Sequence, residues 1–453
     1  DYRGKGVGRD LLTAVINVAK KNGAKFIWSI PRESALPCYL SAGFTQTSEF
    51  FDEGMEYGPN CYVKMDLQNN SYCPLPFIHL STLPSGQTRL CCKAVDNHVP
   101  DGNLNNKSVE EIWNSEYYET IRDKMMKGEY PEDCRVCYDE DDRGKRSMRI
   151  KELERWGHRE KQDAPTYIDL RMGNLCNLKC RTCDPVSSSQ IHKESKQYDY
   201  TPVFFRQKMD EAENIKPWWE REEFLSLAGG AELIWLSGGE PTLVPAGKEM
   251  IDYCIDNNLS ENIDLRYVVN LTNITEDFMK KFEKFRKVDI HCSIDGIGEV
   301  NDYLRFPSKF HVLADNLDKL QYAKVNELLM IHTVSLFNIY RLPEMIEWLE
   351  NNYFKVKLNL NALNEPKMYH PNILDDDTKR LIENKLMSYK PKREKNKKEI
   401  DGLIKLMYNS TATKEKDRKH FVNFVDQIDK IRNQSFVKTF PELENFYRIC
   451  SNG

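Results

Sequence analysis

Six short apolar runs recur across residues 161–362: Thr166–Arg171, Glu232–Leu236, Asp264–Val269, Val288–Ile294, Leu329–Val334 and Val356–Leu360. Longer stretches with helical spacing separate them, and this alternation predicts βα units around a parallel sheet. Residues 1–68 have another texture. A Gly-rich turn, Arg3-Gly4-Lys5-Gly6-Val7-Gly8, runs into apolar positions Leu11, Leu12, Val15, Ile16, Val18 and Ala19, which fit a helix. A strand-like Lys25–Ile30 and a short helix over Ser34–Ala42 follow. Residues 69–160 hold a group of cysteines and a charged, helix-rich tail. Residues 363–453 predict polar helices, with a basic stretch, Lys390–Lys398, expected to be a solvated face.

Composition narrows the class. With 453 residues, about three domains are expected. The balance of 65 Lys and Arg against 70 Asp and Glu gives no global basic field, so nucleic acid is not indicated. No apolar run approaches the roughly 18–20 residues that span a bilayer, so no membrane partner is expected. The sequence opens at Asp1 inside an apparent motif, which is expected of a fragment shortened at its N-terminus.

The thirteen cysteines are unevenly placed. Eight of them, from Cys73 to Cys183, fall in one stretch. In a long chain this clustering suggests ligation of a metal or a cluster in a reducing compartment, and a cytoplasmic location is expected. Cys176, Cys180 and Cys183 directly follow the first predicted strand. Three thiolates at this spacing can wrap one side of an iron–sulfur cubane and leave its fourth iron open. A structural zinc loop would need a fourth ligand, and the nearby histidine, His192, lies nine residues beyond Cys183. Ser237-Gly238-Gly239-Glu240-Pro241 and Ser293-Ile294-Asp295-Gly296 stand at the ends of the second and fourth predicted strands. Ligand sites of α/β folds are built there.

With these motifs together, residues 161–362 resemble the radical S-adenosylmethionine (SAM) superfamily, with its CxxxCxxC loop and GGE motif. The resemblance implies an α/β fold, a partial (β/α)6 TIM-like barrel. It implies that Cys176, Cys180 and Cys183 hold a [4Fe–4S] cluster and that SAM chelates the open iron. Gly238, Gly239 and Glu240 would line its methionine end. Thr272, Asn273, Ser293 and Asp295 would lie near the ribose, and Arg305 and Asn338 are further candidates for SAM contact. The implied chemistry is cleavage of SAM to a 5′-deoxyadenosyl radical that abstracts hydrogen from a substrate, with a reductant such as flavodoxin or ferredoxin. Two positions depart from the family pattern. Thr182 replaces a frequent aromatic, and Ile274 replaces the glycine of a Thr-Asn-Gly motif.

Upstream, Cys73, Gly86 and Cys91, then Cys134 and Cys137, form a C-x12-G-x4-C…CxxC pattern. Leu83-Pro84-Ser85-Gly86 supplies a hairpin turn. Four such thiolates suit either zinc or an iron–sulfur cluster. The pattern resembles the twitch domain, the short form of the SPASM auxiliary-cluster domain of peptide-modifying radical SAM enzymes. Ser108–Ser115 is similar to the helix between the halves of such domains. The resemblance implies an auxiliary [4Fe–4S] cluster on Cys73, Cys91, Cys134 and Cys137, an α+β fold, and a peptide or protein substrate. Its position before the radical SAM core departs from the usual order. Cys92 ranks below Cys91 as a ligand. Cys38, Cys61, Cys254, Cys292 and Cys450 carry no ligand pattern.

At the N-terminus, R-x-x-G-x-G before a helix, with Ala35–Phe44 following, resembles the second half of the GNAT N-acetyltransferases. This implies that Gly6 and Gly8 bind the pyrophosphate of acetyl-CoA and that Tyr39 is a general acid, with packing as the alternative role for its ring. The expected organisation is therefore a partial GNAT segment over 1–68, an auxiliary-cluster domain over 69–160, a radical SAM core over 161–362 and a helical extension over 363–453. Two other functions remain open on the sequence: a radical SAM oxidoreductase acting on a sugar or nucleotide, and a non-catalytic zinc or iron–sulfur scaffold.

Overall fold

The computed structural model describes residues 7–452 apart from 23, 53–57, 68–70, 96–97, 199–202, 222 and 410–413. The chain forms two compact units, residues 1–82 with 86–169, and residues 83–85 with 170–453.

The first unit begins with the expected helix, Val7–Lys21. It is followed by β1 (Phe26–Ser29), β2 (Thr45–Gln46) and β3 (Val63–Asp66), which pair antiparallel in the order β1-β3-β2. Their core is Ile16, Leu36, Phe44, Cys61, Val63 and Leu67, with Leu12 and Ala19 packed against it. Next come β4 (His79–Thr82) and β5 (Thr88–Arg89), a hairpin with Ser81 opposite Arg89. Gly86 lies in its turn with φ +85°, a conformation that favours glycine. Ser108 starts the helix Val109–Trp113 with a capping box closed by Glu111. The strand β6 (Tyr167–Arg171) runs parallel to β4, with Leu80 against Ile168 and Ser81 against Asp169. The hairpin that follows Cys73 thus shares a sheet with the start of β6 inside the first unit. Alternation of apolar residues marks a strand but does not choose its neighbour, so this pairing is a tertiary outcome.

In the second unit, β7 (Leu233–Ser237), β8 (Asp264–Val269), β9 (Lys287–Ser293), β10 (Glu327–Val334) and β11 (Val356–Ala362) are parallel neighbours in chain order. Helices Pro245–Asp256, Glu276–Lys281, Phe310–Tyr322 and Leu342–Asn352 lie between them in sequence. Each of the six expected strands is present between 167 and 362. In β10, Leu328, Met330, His332 and Val334 are buried and the alternate residues half-exposed.

The rest of the chain is helical: Asp376–Ser388, Glu394–Tyr408, Lys414–Arg432 and Glu444–Ser451. Phe337, Tyr369, Phe421, Phe436 and Phe440 meet edge-on or tilted, at centroid distances of 4.8 to 5.9 Å for the rings around Phe337. The basic stretch is more than the solvated face expected of it. Arg393 Nη1 donates to Val356 O at 2.8 Å and Lys395 Nζ to Leu358 O at 3.0 Å. These cations satisfy carbonyls of β11, which ends the order of the parallel strands and, among the described residues, lacks a further neighbour on that side. Among the described residues, no helix is long and apolar enough to cross a membrane.

Candidate functional site

Among the described residues no cysteine forms a disulfide. Cys176, Cys180 and Cys183 occupy an irregular loop after β6, held by the chain on both sides. Cys176 N donates to Ser189 Oγ at 3.3 Å, and Ser188 Oγ donates to Leu178 O at 2.6 Å. Lys179 N and Arg181 N donate to Phe306 O and Leu304 O at 2.6 and 2.8 Å. Burial pushes the Cys176 thiol up to about 11, with Cys180 and Glu240 adding to the shift and Arg305 opposing it. Cys183 is raised well above the ordinary thiol range by burial, then by Asp184, Cys180 and Cys176. The loop therefore gathers the three thiols with an acid from the end of β7 and a base from beyond β9. These thiols are near one another without being drawn onto one point. Among the described residues no three Cys, His, Asp or Glu side chains form a single-ion site.

The glycines beside β7 serve the chain's own close packing. Gly239 has φ +53°, and a Cβ there would stand 2.4 Å from Leu175 O. Glu240 N donates to that same oxygen at 2.8 Å. At Gly238, with φ +79°, a Cβ would meet the Arg171 side chain at 2.8 Å. Both positions thus seat the cysteine loop and Arg171 against the end of β7. Glu240 is buried, and its carboxylate accepts from Thr242 N, from Thr242 Oγ1 at 2.6 Å and from Asn270 N at 2.7 Å. A carboxylate has about four acceptor positions, so one is left for a ligand ammonium. Burial raises its pKa against those hydrogen bonds.

Asn270 and Asn177 were not singled out in the sequence and are central here. Asn270 Nδ2 donates to Asn177 Oδ1 at 2.9 Å, Asn177 Nδ2 to Thr272 Oγ1 at 2.8 Å, and Thr272 Oγ1 to Asn270 Oδ1 at 2.6 Å. This ring ties the cysteine loop to the end of β8. Their signal is only that each neighbours a motif residue. Asn273 Nδ2 reaches Thr242 O at 3.3 Å. Ile274 is buried, and three residues earlier Leu271 has a left-handed backbone, φ +64°. Asn316 Nδ2 holds the Leu271 carbonyl at 2.7 Å.

At the end of β9, Ser293 is half-buried and Asp295 is buried. Asp295 Oδ1 accepts from Thr333 N at 2.9 Å and Oδ2 from Arg305 Nη1 at 2.8 Å. Burial works against the charge of Arg305, yet Cys180, Asp295 and Cys176 leave its pKa raised. Asn338, expected as a further candidate for SAM contact, is turned to the chain's own backbone. It is 1% exposed, and its Nδ2 donates to Asp295 O at 2.9 Å and Thr333 O at 2.8 Å, while Oδ1 accepts from Ser335 N at 2.8 Å. Both amide hydrogens are engaged by backbone, so the side chain shapes the loop and has no donor left for a cofactor.

In the first unit, Cys73, Cys91 and the Cys134/Cys137 pair come from three places in the sequence and share one neighbourhood. Cys73 is raised well above the ordinary range by burial, then by Cys134 and Cys91. Cys91 is pushed up to about 12 by burial, with Cys92 and Cys137 contributing. Burial also raises Cys134, then Cys91 and Cys137, and it raises Cys137. Cys92 is exposed, with its Sγ 3.3 Å from Met148 Sδ. At the N-terminus, Gly6 lies outside the described residues, and Gly8 sits in the first turn of its helix. Tyr39 OH accepts from Ser29 Oγ at 3.2 Å, and its ring meets Phe44 edge-on at 5.3 Å. That environment is one of packing.

Three stretches of the chain match known families. Residues 170–349 match the radical SAM superfamily, residues 73–138 the SPASM iron–sulfur cluster-binding domain, and residues 1–44 the GNAT acetyltransferase family. An uncharacterized protein of Methanocaldococcus jannaschii, MJ0907, is 31% identical over 146 residues, 32% of this chain and 43% of that protein. The match thus spans less than half the length of that relative. Among solved structures, Streptococcus suis SuiB bound to SAM is 16% identical, with a TM-score of 0.29 over 47% of this chain and 41% of that one. SuiB bound to its precursor peptide SuiA is 11% identical, with a TM-score of 0.30 over 68% of this chain and 64% of that one. Likeness at that level says nothing of this chain's substrate.

Proposed function

We propose that this chain, which carries a radical SAM domain, an iron–sulfur SPASM domain and part of a GNAT domain, is a radical SAM enzyme acting on a peptide or protein. The observation that carries the reading is that the cysteine loop is hydrogen-bonded on one side to Leu304 O and Phe306 O, which flank Arg305, and on the other to Glu240, whose N donates to Leu175 O. The donor set fits the groups concerned. Three thiols leave one corner of a cubane open, and Glu240 retains one acceptor position for an ammonium. Arg305 Nε, buried and without a partner among the described residues, suits a carboxylate. Cys176, Cys180 and Cys183 would hold a [4Fe–4S] cluster, which, once reduced by an external one-electron donor such as flavodoxin or ferredoxin, would pass that electron to SAM and so cleave its carbon–sulfur bond to methionine and the 5′-deoxyadenosyl radical.

The chain's own part is to orient and to exclude water. Asn177, Asn270 and Thr272 fix the cysteine loop to β8. Asp295 holds Arg305 in place, and Gly239 lets the loop lie flat on β7. We assign a second cluster to Cys73, Cys91, Cys134 and Cys137, by the same donor chemistry and the SPASM match. The peptide substrate rests on analogy with enzymes that carry such a domain. For acetyl transfer, the surroundings of Tyr39 favour packing over catalysis.

Anaerobic reconstitution tests the reading. Iron and sulfide near about eight each per chain are expected, falling to about four in a Cys134→Ala/Cys137→Ala variant. Reduction with SAM is expected to release 5′-deoxyadenosine from the unaltered protein and none from Cys180→Ala. Zinc without labile sulfide, or equal yields from both, defeats the proposal.

A further inference from the structure

The two residues flanking Cys180 are both tied to one helix of the C-terminal extension, Lys414–Arg432. Lys179 Nζ donates to Glu194 Oε1 at 2.9 Å, and Arg432 grips the same carboxylate through Nη2 at 2.7 Å and Nε at 3.2 Å. On the other side of Cys180, Arg181 Nη2 pairs with Asp429 Oδ1 and donates to Gln434 Oε1 at 3.0 Å. The Arg181 guanidinium lies 3.7 Å from the centre of the Tyr303 ring. Asp429 and Arg432 are three residues apart, so one helical face presents both. Phe424, Ile428 and Arg432 of this helix close a small cavity whose other walls include Cys180 and Cys183. Glu194, Arg181 and Arg432 are all buried.

Buried ion pairs cost desolvation and are a poor source of net stability, so two of them around one thiol call for another account. Their effect is to fix geometry. We infer that the Lys414–Arg432 helix belongs to the cluster site. Asp429 and Arg432 are positioning residues that hold Arg181 and Lys179, and so Cys180, and Arg432 sets a buried positive charge beside the thiolates. This inference rests on the reading of Cys176, Cys180 and Cys183 as cluster ligands. A cation in that place favours the more negative, reduced form of a cluster, and so raises its potential. Arg432 shares the walls of the small cavity with Cys180 and Cys183.

The full chain with Asp429→Asn, Arg432→Gln or Arg432→Lys tests this in two ways. In the metal-free protein, Asp429→Asn is expected to speed hydrogen exchange of the 176–183 amides at least about tenfold, with the parallel strands still protected. Unchanged exchange there overturns the clamp. In the reconstituted protein, the spectroscopic signal that shifts on adding SAM identifies the cluster to follow. Its midpoint potential is expected to be more negative in Arg432→Gln and restored in Arg432→Lys. Equal potentials in all three forms overturn the role of the charge. If Arg432→Gln does not fold, Glu194→Gln is measured in its place: it removes only the counter-charge of Arg432 and Lys179, the potential is expected to be more positive, and an unchanged potential overturns the role of the charge. If the unaltered protein takes up no iron, the cluster reading fails, and the exchange experiment still decides the clamp.

Discussion

Arg305 donates through Nη1 to Asp295 Oδ2 at 2.8 Å, so two residues assigned separately to a cofactor are first each other's partners. Both are buried to within about a tenth of their side-chain surface, at 11% and 4% exposure. The pair joins the end of β9 to the segment that carries the backbone carbonyls of Leu304 and Phe306, on which the cysteine loop hangs. Any change here reaches the cluster loop.

Asp295→Asn is expected to strand the guanidinium in a buried site. The cost is about 3–5 kcal/mol, as for breaking one side of a buried ion pair. Removing both charges in Asp295→Asn/Arg305→Met is expected to recover much of it. Urea denaturation of the two variants checks this, and a single-variant loss below about 1 kcal/mol would contradict it.

Gly239→Ala is expected to destabilise the chain by at least about 1–3 kcal/mol from backbone strain alone. The added Cβ would also press on Leu175 O, 2.4 Å away. Because that oxygen belongs to the cysteine loop, the variant is expected to hold less iron per chain after reconstitution. Iron content and thermal melting report the two effects, and a variant normal in both would show that the loop gives way freely.

Asn338→Ala separates a shaping role from a binding one. Loss of its bonds to Asp295 O, Thr333 O and Ser335 N is expected to lower stability by roughly 1–3 kcal/mol, since buried backbone groups lose partners. SAM affinity per folded molecule is expected to stay within about twofold, read by equilibrium binding. A large loss of affinity with normal stability would return Asn338 to the cofactor.

His79 gives a pH dependence. Burial lowers its pKa to about 4, with Asp169 and the Leu90 carbonyl partly opposing. The folded chain keeps it neutral below pH 6.5, where the unfolded chain takes up the proton. Stability is therefore expected to fall as pH drops from about 6.5 to about 4, by at most ~3 kcal/mol from this group. His79→Phe is expected to flatten that slope in melting temperatures measured across the range. Parallel slopes for both proteins would remove His79 as the cause.

Local patterns announced some of this well. The strand beginning at Asp264 has the same bounds in sequence and structure, because alternation and flanking turns are local properties. The helix expected within Ser108–Ser115 is present as Val109–Trp113, and the structure adds its capping box, Ser108 with Glu111. Asn177, Asn270, Asp429 and Arg432 were not readable. Their distant partners lie between 93 and 248 residues away along the chain, or in a helix whose polar pattern suggested only a solvated surface.

The order of residues thus determined the donors, their spacing and the strands that carry them, since each depends on neighbours within a few positions. Folding in three dimensions decided which donors meet: that β4 lies beside β6, that Asp295 pairs with Arg305, and that a helix ending at Arg432 closes over Cys180. Those choices come from burial and long-range charge pairing. Both act through space and leave no period in the sequence.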